Sequence, residues 1–222
     1  MEKEERVQIA YDLGTTLPDN VFDRYDQHAE KYSEFYTGLG IPDHAHLAKY
    51  LTERGFSKDT PILDAGCGTG LTVQALAKEG FTNVVGVDGS AGMVEESKKL
   101  GLYKDAMVGF IGMGKFPEEL KGKFKVAVTA GTFIVSHFPS VAVDEVMFEG
   151  FTGEKGDSFI SVIRDDCYEP LGHKEHIYKL QEEGKIKVVN EIIFERQIES
   201  NQFSDPLYGS KSNSIIVHLE LC

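Results

Sequence analysis

Between positions 64 and 70 the chain reads Asp64-Ala65-Gly66-Cys67-Gly68-Thr69-Gly70. Glycines at alternate positions remove the side chains that would hold a ligand off the backbone, and a helix starting just after them offers N–H groups with no partner of their own. Such a loop either cradles the polar part of a ligand or is only a tight turn. Two acids favour the first reading. Asp64 stands two positions before the first glycine, and Asp88 closes an apolar run 24 residues after Asp64. A carboxylate about 20 residues beyond such a loop can accept hydrogen bonds from both hydroxyls of a ribose. Together they point to a ligand that contains a nucleoside.

Bringing these groups to one place requires strand ends and helix starts in alternation, and the pattern supplies them. Residues 61–65 form a short apolar strand, and after the glycine turn residues 71–79 have helical spacing closed by Gly80. The rhythm continues with strand 83–88, helix 91–100, strands 106–111 and 125–130, helix 139–151, strand 158–163 and helix 173–183. Each strand is nearly continuous in apolar residues, as strands buried on both faces by crossover helices must be. A mainly parallel sheet with helices on either side is therefore expected. Residues 187–197 and 214–221 are β-rich with no helical pattern between them, and they read as an antiparallel pair. That ending is unlike the two matching halves of a dinucleotide dehydrogenase. Ahead of the alternation, Phe22, Tyr25, Tyr32, Phe35 and Tyr36 recur at helical spacing, a stripe whose plainest use is packing on the core. A break at Gly38, Gly40 and Pro42 separates it from a second helix, over residues 46–54. The expected organisation is a flexible, polar segment over residues 1–20 and one domain over 21–222, divided into a helical cap (21–59) and an α/β core (60–222).

Composition narrows the partners. The 222 residues include 23 Lys+Arg against 36 Asp+Glu, a formal charge of −13 that repels an extended phosphate backbone, so nucleic acid is disfavoured as a partner. Hydrophobic residues at 41% and charged residues at 27% are those of a globular domain. Cys67, Cys167 and Cys222 form no CxxC pair, and no His, Cys, Asp or Glu spacing suits a metal, so neither a metal site nor a disulfide framework is expected. A charged start and the lack of any 18-residue apolar run lead to the expectation of a cytoplasmic protein without a signal peptide or membrane contact.

With an acid-x-Gly-x-Gly-x-Gly loop and an acid ending the second strand, the chain resembles the class I S-adenosylmethionine-dependent methyltransferases from about residue 22 onward. Within that class it is similar to the small methyltransferase-like proteins of the Williams–Beuren syndrome region and their bacterial relatives. The matching residues are Ile62-Leu63-Asp64-Ala65-Gly66-Cys67-Gly68-Thr69-Gly70-Leu71, Val87-Asp88-Gly89-Ser90-Ala91-Gly92-Met93, Gly101-Leu102-Tyr103, and Gly131-Thr132-Phe133 with His137 and Pro139. The resemblance implies a three-layer, doubly wound α/β fold with a seven-stranded sheet, mainly parallel with an antiparallel last strand, and an N-terminal helical cap. It also implies S-adenosyl-L-methionine as cofactor, lying across the carboxyl ends of the first strands, and S-adenosyl-L-homocysteine as product.

Carried over by position, Asp64 would receive the methionine ammonium, directly or through water, while Gly66, Cys67 and Gly68 pass beneath the methionine part and ribose. Asp88 would take the ribose diol, with Gly89, Ser90 and Met93 on the same edge and Met93 against adenine. The acid that the class usually places after the third strand is absent from Ile111-Gly112-Met113-Gly114. Adenine would then rest on backbone groups at Gly112 and Met113, unless these residues are only a loop. Ala130 and Gly131 complete the expected cofactor set, and Ala130-Gly131-Thr132 lacks the Asn/Asp-Pro-Pro-aromatic signature of base amino-methyltransferases. In the front helix, the run from Tyr25 to Tyr32 resembles the Tyr/Phe-Asp-x-x-Ala-x-x-Tyr pattern that closes over the cofactor. There Tyr25 or Tyr32 would bond the cofactor carboxylate or face the sulfonium, the alternative being a packing stripe.

Transfer from a sulfonium is an in-line displacement that asks chiefly for alignment and exclusion of water. Where a base helps, His137 beyond the fourth strand is the candidate catalytic residue, the alternative being a histidine that orders its loop or caps the next helix. His173, His176 and Cys167 lie past the fifth strand, where acceptor pockets form in this class, with surface placement as the other reading. The expected function is methyl transfer to a small-molecule acceptor. The alternatives are a module that binds the cofactor without methylating and a nicotinamide oxidoreductase, against which Asp64 and the antiparallel ending speak.

Overall fold

Residue parity along the short apolar runs decides which face each side chain takes, since successive Cβ atoms of a strand point to opposite sides. In the computed structural model, which describes residues 1–14, 21–196 and 213–222, these runs form β1 (Ile62–Ala65), β2 (Val84–Asp88), β3 (Asp105–Val108), β4 (Val126–Ala130) and β5 (Ser158–Arg164). They are joined by β6 (Ile186–Glu195) and β7 (Asn213–Leu221) in one seven-stranded sheet of order β3-β2-β1-β4-β5-β7-β6. Leu63, Ala127, Phe159 and Val217 enter the core on one face, while Ile62, Val126, Val128, Ile160 and Ile216 enter the core on the other. Both faces are thus apolar, as the near-continuous runs require. At the sheet edge β3 is half exposed and ends at Val108, short of the expected residue 111.

β1 to β5 pair in parallel, and β7 lies between β5 and β6, antiparallel to both. The last two strands are therefore the antiparallel pair expected, with Gln197 outside the described residues. A bulge between Val188 and Asn190 interrupts their register.

Helices α1 (Lys3–Gly14), α2 (Val21–Thr37), α3 (Asp43–Glu53), α4 (Leu71–Lys78), α5 (Ala91–Lys99), α6 (Ala142–Glu145), α7 (Asp165–Tyr168) and α8 (His173–Glu182) complete the chain. Four depart from expectation, one of them, α7, being a single turn that the sequence pattern does not announce. Residues 3–14 are helical, not frayed, because Ile9 and Leu13 (2% and 4% exposed) pack with Phe35, Tyr36 and Leu39; residues 15–20 lie outside the described residues. The helix expected from Pro139 opens with i→i+3 bonds to Pro139, Ser140 and Val141, becomes α-helical only at Ala142, and finishes as a π-helical turn over Val146–Gly150. Finally, α3 belongs to a helical layer on the sheet, not to the cap: Leu47, Ala48, Tyr50 and Leu51 pack with Ile62, Val73 and Leu76. The cap proper is α2 with α1 upon it.

Chain order reverses beside β1, which leads outward to β2 and β3 before the chain returns to β4 on its other side. In open α/β sheets a crevice opens at the carboxyl ends of the strands at such a point.

Candidate active site

A cavity of about 510 Å³ fills that crevice, walled by the loops after β1 to β4 and roofed by α2. Its floor is the glycine loop. Gly66, Gly68 and Gly70 all have left-handed backbone, with φ of +73°, +51° and +89°, a conformation open to glycine at little cost. Their uses differ. A Cβ on Gly66 would lie 2.4 Å from Thr132 Cγ2 and one on Gly70 2.6 Å from Leu100 Cδ1, whereas one on Gly68 would meet nothing within 4 Å. Gly66 and Gly70 allow packing, and Gly68 keeps cavity space clear.

Asp88 fixes this loop from the end of β2. Its Oδ2 accepts from Gly68 N–H at 2.8 Å and its Oδ1 from Ser90 N–H at 2.9 Å, and the side chain lines the cavity. Each carboxylate oxygen has a second lone pair for a ligand. Burial raises its pKa above the usual carboxylate value, and the backbone N–H groups of Ser90 and Gly68 oppose that rise.

Several residues expected here turn elsewhere. Asp64 is fully buried behind the loop, where Oδ2 accepts from Tyr103 O–H at 2.6 Å and Oδ1 has no partner among the described residues. Burial, with a further push from Asp88, raises its pKa to about 7. It shares the face of β1 with Ile62 and is absent from the cavity wall. Cys67 is likewise buried, its Sγ close against Gly86, and burial raises its thiol pKa well above normal. Ser90 caps α5: its hydroxyl oxygen accepts from Met93 N–H at 3.1 Å and its O–H donates to Asp26 at 2.5 Å. Met93 is 1% exposed and absent from the cavity wall. Gly89 does reach the wall, and a Cβ there would lie 2.0 Å from Phe22, so α2 sits directly upon this edge.

Gly112 and Met113 also line the cavity, but the Gly112 N–H is already used. Glu145, a buried acid on α6, accepts from Gly112 N–H at 2.7 Å and from Gly114 N–H at 2.6 Å. It gathers the loop after β3, a role that only its place among apolar neighbours in the sequence hinted at. Ala130 and Gly131 form the wall at the end of β4.

The roof carries Tyr25 and Tyr32, both facing the cavity with ring centroids 5.7 Å apart. Tyr25 O–H lies 2.7 Å from His137 Nε2, and His137 Nδ1 lies 2.8 Å from the Val135 carbonyl oxygen. A carbonyl only accepts, so Nδ1 carries the ring proton and Nε2 takes the Tyr25 hydroxyl proton as acceptor. Burial lowers the His137 pKa, which keeps the ring neutral. In this conformation His137 ties its loop to α2, and neither nitrogen is open to an acceptor. A second tie, from Asp26, holds α2 to the start of α5: Oδ1 accepts from Ser90 O–H and from Gly92 N–H at 2.7 Å.

Of the residues past β5, His176 pairs with Asp144 and Cys167 is buried with a thiol pKa raised to about 11, chiefly by burial. His173, 2% exposed, joins the cavity wall instead of the surface. Among the described residues no cluster suits a metal ion and no helix is long and apolar enough to cross a membrane.

A family model described as a methyltransferase domain matches residues 62–149, from β1 into the π-helical turn that follows α6. Human methyltransferase-like protein 27 is 35% identical over 85 residues, 38% of this chain and 34% of its own length, so the match spans about a third of that relative. The magnesium protoporphyrin IX methyltransferase of Synechocystis, solved with S-adenosylhomocysteine bound, aligns with a TM-score of 0.57 over 99% of this chain and 94% of that one, at 16% identity. A TehB-like S-adenosylmethionine-dependent methyltransferase of Corynebacterium glutamicum aligns with a TM-score of 0.57 over 88% of this chain and 98% of that one, at 19% identity. At these identities the structural likeness is one of fold.

Proposed function

Because the chain has its place among the class I S-adenosylmethionine-dependent methyltransferases, we propose that it transfers a methyl group to a small-molecule acceptor in the cavity beneath α2. The observation that carries this reading is the pairing of Gly68 and Asp88 on one wall: a glycine with open space where its side chain would be, bonded to a carboxylate that still has free lone pairs. S-adenosylmethionine, when bound, supplies an electrophilic methyl on a positively charged sulfur. The residues present suit it. Asp88 can accept from the ribose hydroxyls, and Gly68 lets a ligand lie against backbone. Tyr25 and Tyr32 offer a hydroxyl for a carboxylate or a ring face for a cation. Phe110 and Ile111 give adenine an apolar wall beside Met113. Asp64 serves from behind by holding Tyr103, whose ring lies against Gly70 and Gly86 and so braces the loop.

The chain's contribution to the reaction is alignment and dryness. With α2 tied down at Asp26 and Tyr25, the roof covers part of the cavity, and a ligand bound beneath it would displace water from the contacts inside. The acceptor class follows from charge: among the described residues no Lys or Arg lines the cavity, and the chain carries a formal charge of −13. Both disfavour a polyanion. Incubation with methyl-labelled S-adenosylmethionine and a metabolite extract, followed by mass spectrometry, tests the proposal. A labelled low-mass product formed together with S-adenosylhomocysteine is expected. Tight cofactor binding with no labelled product from any extract would leave a binding module instead.

A further inference from the structure

We propose that Glu145 sets the purine specificity of the cofactor site: it turns the carbonyls of Ile111 and Met113 towards the cavity, where they accept from the 6-amino group of adenine. Glu145 is then a positioning residue, acting on the ligand only through the loop it holds. This rests on the methyltransferase reading and adds to it how the purine is recognised. The loop after β3 runs Gly109-Phe110-Ile111-Gly112-Met113-Gly114 and has no acid of its own. Its acid comes from α6, where Glu145 is 5% exposed. Glu145 Oε2 accepts from Gly112 N–H at 2.7 Å and Oε1 from Gly114 N–H at 2.6 Å, so one carboxylate fixes two alternate peptide units. Both glycines have left-handed backbone, with φ of +82° and +72°, which other residues adopt only at a cost. A Cβ on Gly112 would lie 2.7 Å from Pro139 Cδ, so the loop is seated directly on the segment that leads into α6.

A trans peptide unit is planar, and its C=O points opposite to its N–H. The C=O of Ile111 shares a unit with the Gly112 N–H, and the C=O of Met113 shares one with the Gly114 N–H. Both carbonyls therefore point away from Glu145. Ile111, Gly112 and Met113 line the cavity and Glu145 does not, so the loop stands between the carboxylate and the cavity. The side of the loop opposite Glu145 is the cavity side. Neither carbonyl accepts from a backbone N–H among the described residues. Two acceptors held on one side of a loop match the two N–H bonds of a 6-amino group. An oxo group in its place would set lone pairs against lone pairs. A site built around a donor rejects an analogue that lacks it, because the site's own acceptors are then left unpaired.

Calorimetric titration of the full chain with S-adenosylhomocysteine and with S-inosylhomocysteine, in which an oxo group replaces the 6-amino group, tests this. The wild type should bind the adenosyl compound at least about tenfold more tightly. Glu145→Gln keeps the size of the side chain but only one accepting oxygen, and it should narrow that preference by about threefold or more, mostly by weakening the adenosyl compound. Glu145→Leu frees both peptide units and should bring the preference close to none. A loop that was merely loosened would cost both compounds the same and keep their ratio, since the ribose and homocysteine parts are common to both. Thermal unfolding reports the fold of each variant, and if Glu145→Leu does not fold, Glu145→Gln decides. Equal affinity for the two compounds in the wild type, or the wild-type ratio retained in Glu145→Gln, would overturn the inference while cofactor binding still stood. Failure of S-adenosylhomocysteine to bind the wild type would overturn the methyltransferase reading, and this inference with it.

Discussion

Both oxygens of Asp88 already hold a backbone N–H, so its replacement acts on the loop and on a ligand at once. Asp88→Ala is expected to weaken S-adenosylmethionine binding by roughly 2 to 4 kcal/mol, the loss of charge-assisted bonds in a desolvated crevice. Calorimetry measures this, with thermal unfolding to separate the loop's own loss, and unchanged affinity would displace the ribose from Asp88. Asp64 makes a different prediction because it is a carboxyl held near pKa 7 by burial. Its proton is kept in the folded chain after the unfolded chain has released it, so this contribution to stability is fully present below about pH 4 and is lost as the pH rises towards 7. The loss is of the order of 4 kcal/mol for a shift of about three units. Asp64→Asn should flatten that fall in denaturant titrations between pH 4 and 7, and a profile with the wild-type slope would show the proton to reside elsewhere. The glycine loop and Asp88 were legible in the sequence because type and spacing alone define them. The aim of Asp64, Ser90 and Met93 was not. Parity puts Asp64 on the face of Ile62, but only the fold reveals that Tyr103 waits there, and the capping bond of Ser90 depends on where α5 begins. Glu145 and His173 were harder still, since each acts on a segment more than 30 residues away in the chain.

α2 is held by few bonds for an element that roofs a cavity. Asp26 ties it to α5, Tyr25 to His137, and α1 grips its outer side through His28 to Asp12 at 3.1 Å and through Lys31 to Glu5. Of these the Lys31–Glu5 pair is exposed and contributes little, so opening α2 should cost less than global unfolding. A ligand touching Tyr25 and Tyr32 would favour the closed form by those contacts. Hydrogen exchange over residues 21–37 should slow when S-adenosylhomocysteine binds, and equal protection in both states would return the aromatic stripe to plain packing. Asp26→Ala removes the acceptor at the start of α5, a cap loss of about 1 kcal/mol. It should speed exchange in α2 without ligand; unaltered exchange would show that Asp26 is no tether. The helices and strands themselves were readable from periodicity, within a residue or two at most ends. α1 was not, because its apolar contacts are few and their value depends on Phe35, Tyr36 and Leu39 being in place.

For the molecule as a whole the charge of −13 outweighs local detail. Phosphate contacts would have to be made against a repulsive field, so no retardation of bulk tRNA is expected at physiological salt, and a salt-sensitive shift would reopen nucleic acid as the acceptor. The order of the sheet could be inferred only as far as its parallel half, because the place of a final strand is set by which edge is open and not by its own residues. That place has a consequence for how the protein is made. β7 is wedged between β5 and β6, and its Glu220 sits opposite Ser158, 62 residues earlier. On the ribosome, β5 must wait with one edge bare and β6 with no neighbour until the final strand emerges. Such long-range closure is slow, and an open apolar edge invites pairing with other chains. Synthesis therefore passes through a stage in which all of the binding loops are complete but the sheet beneath them is not, and the nascent chain's exposure to aggregation or to chaperones lasts until β7 is in place.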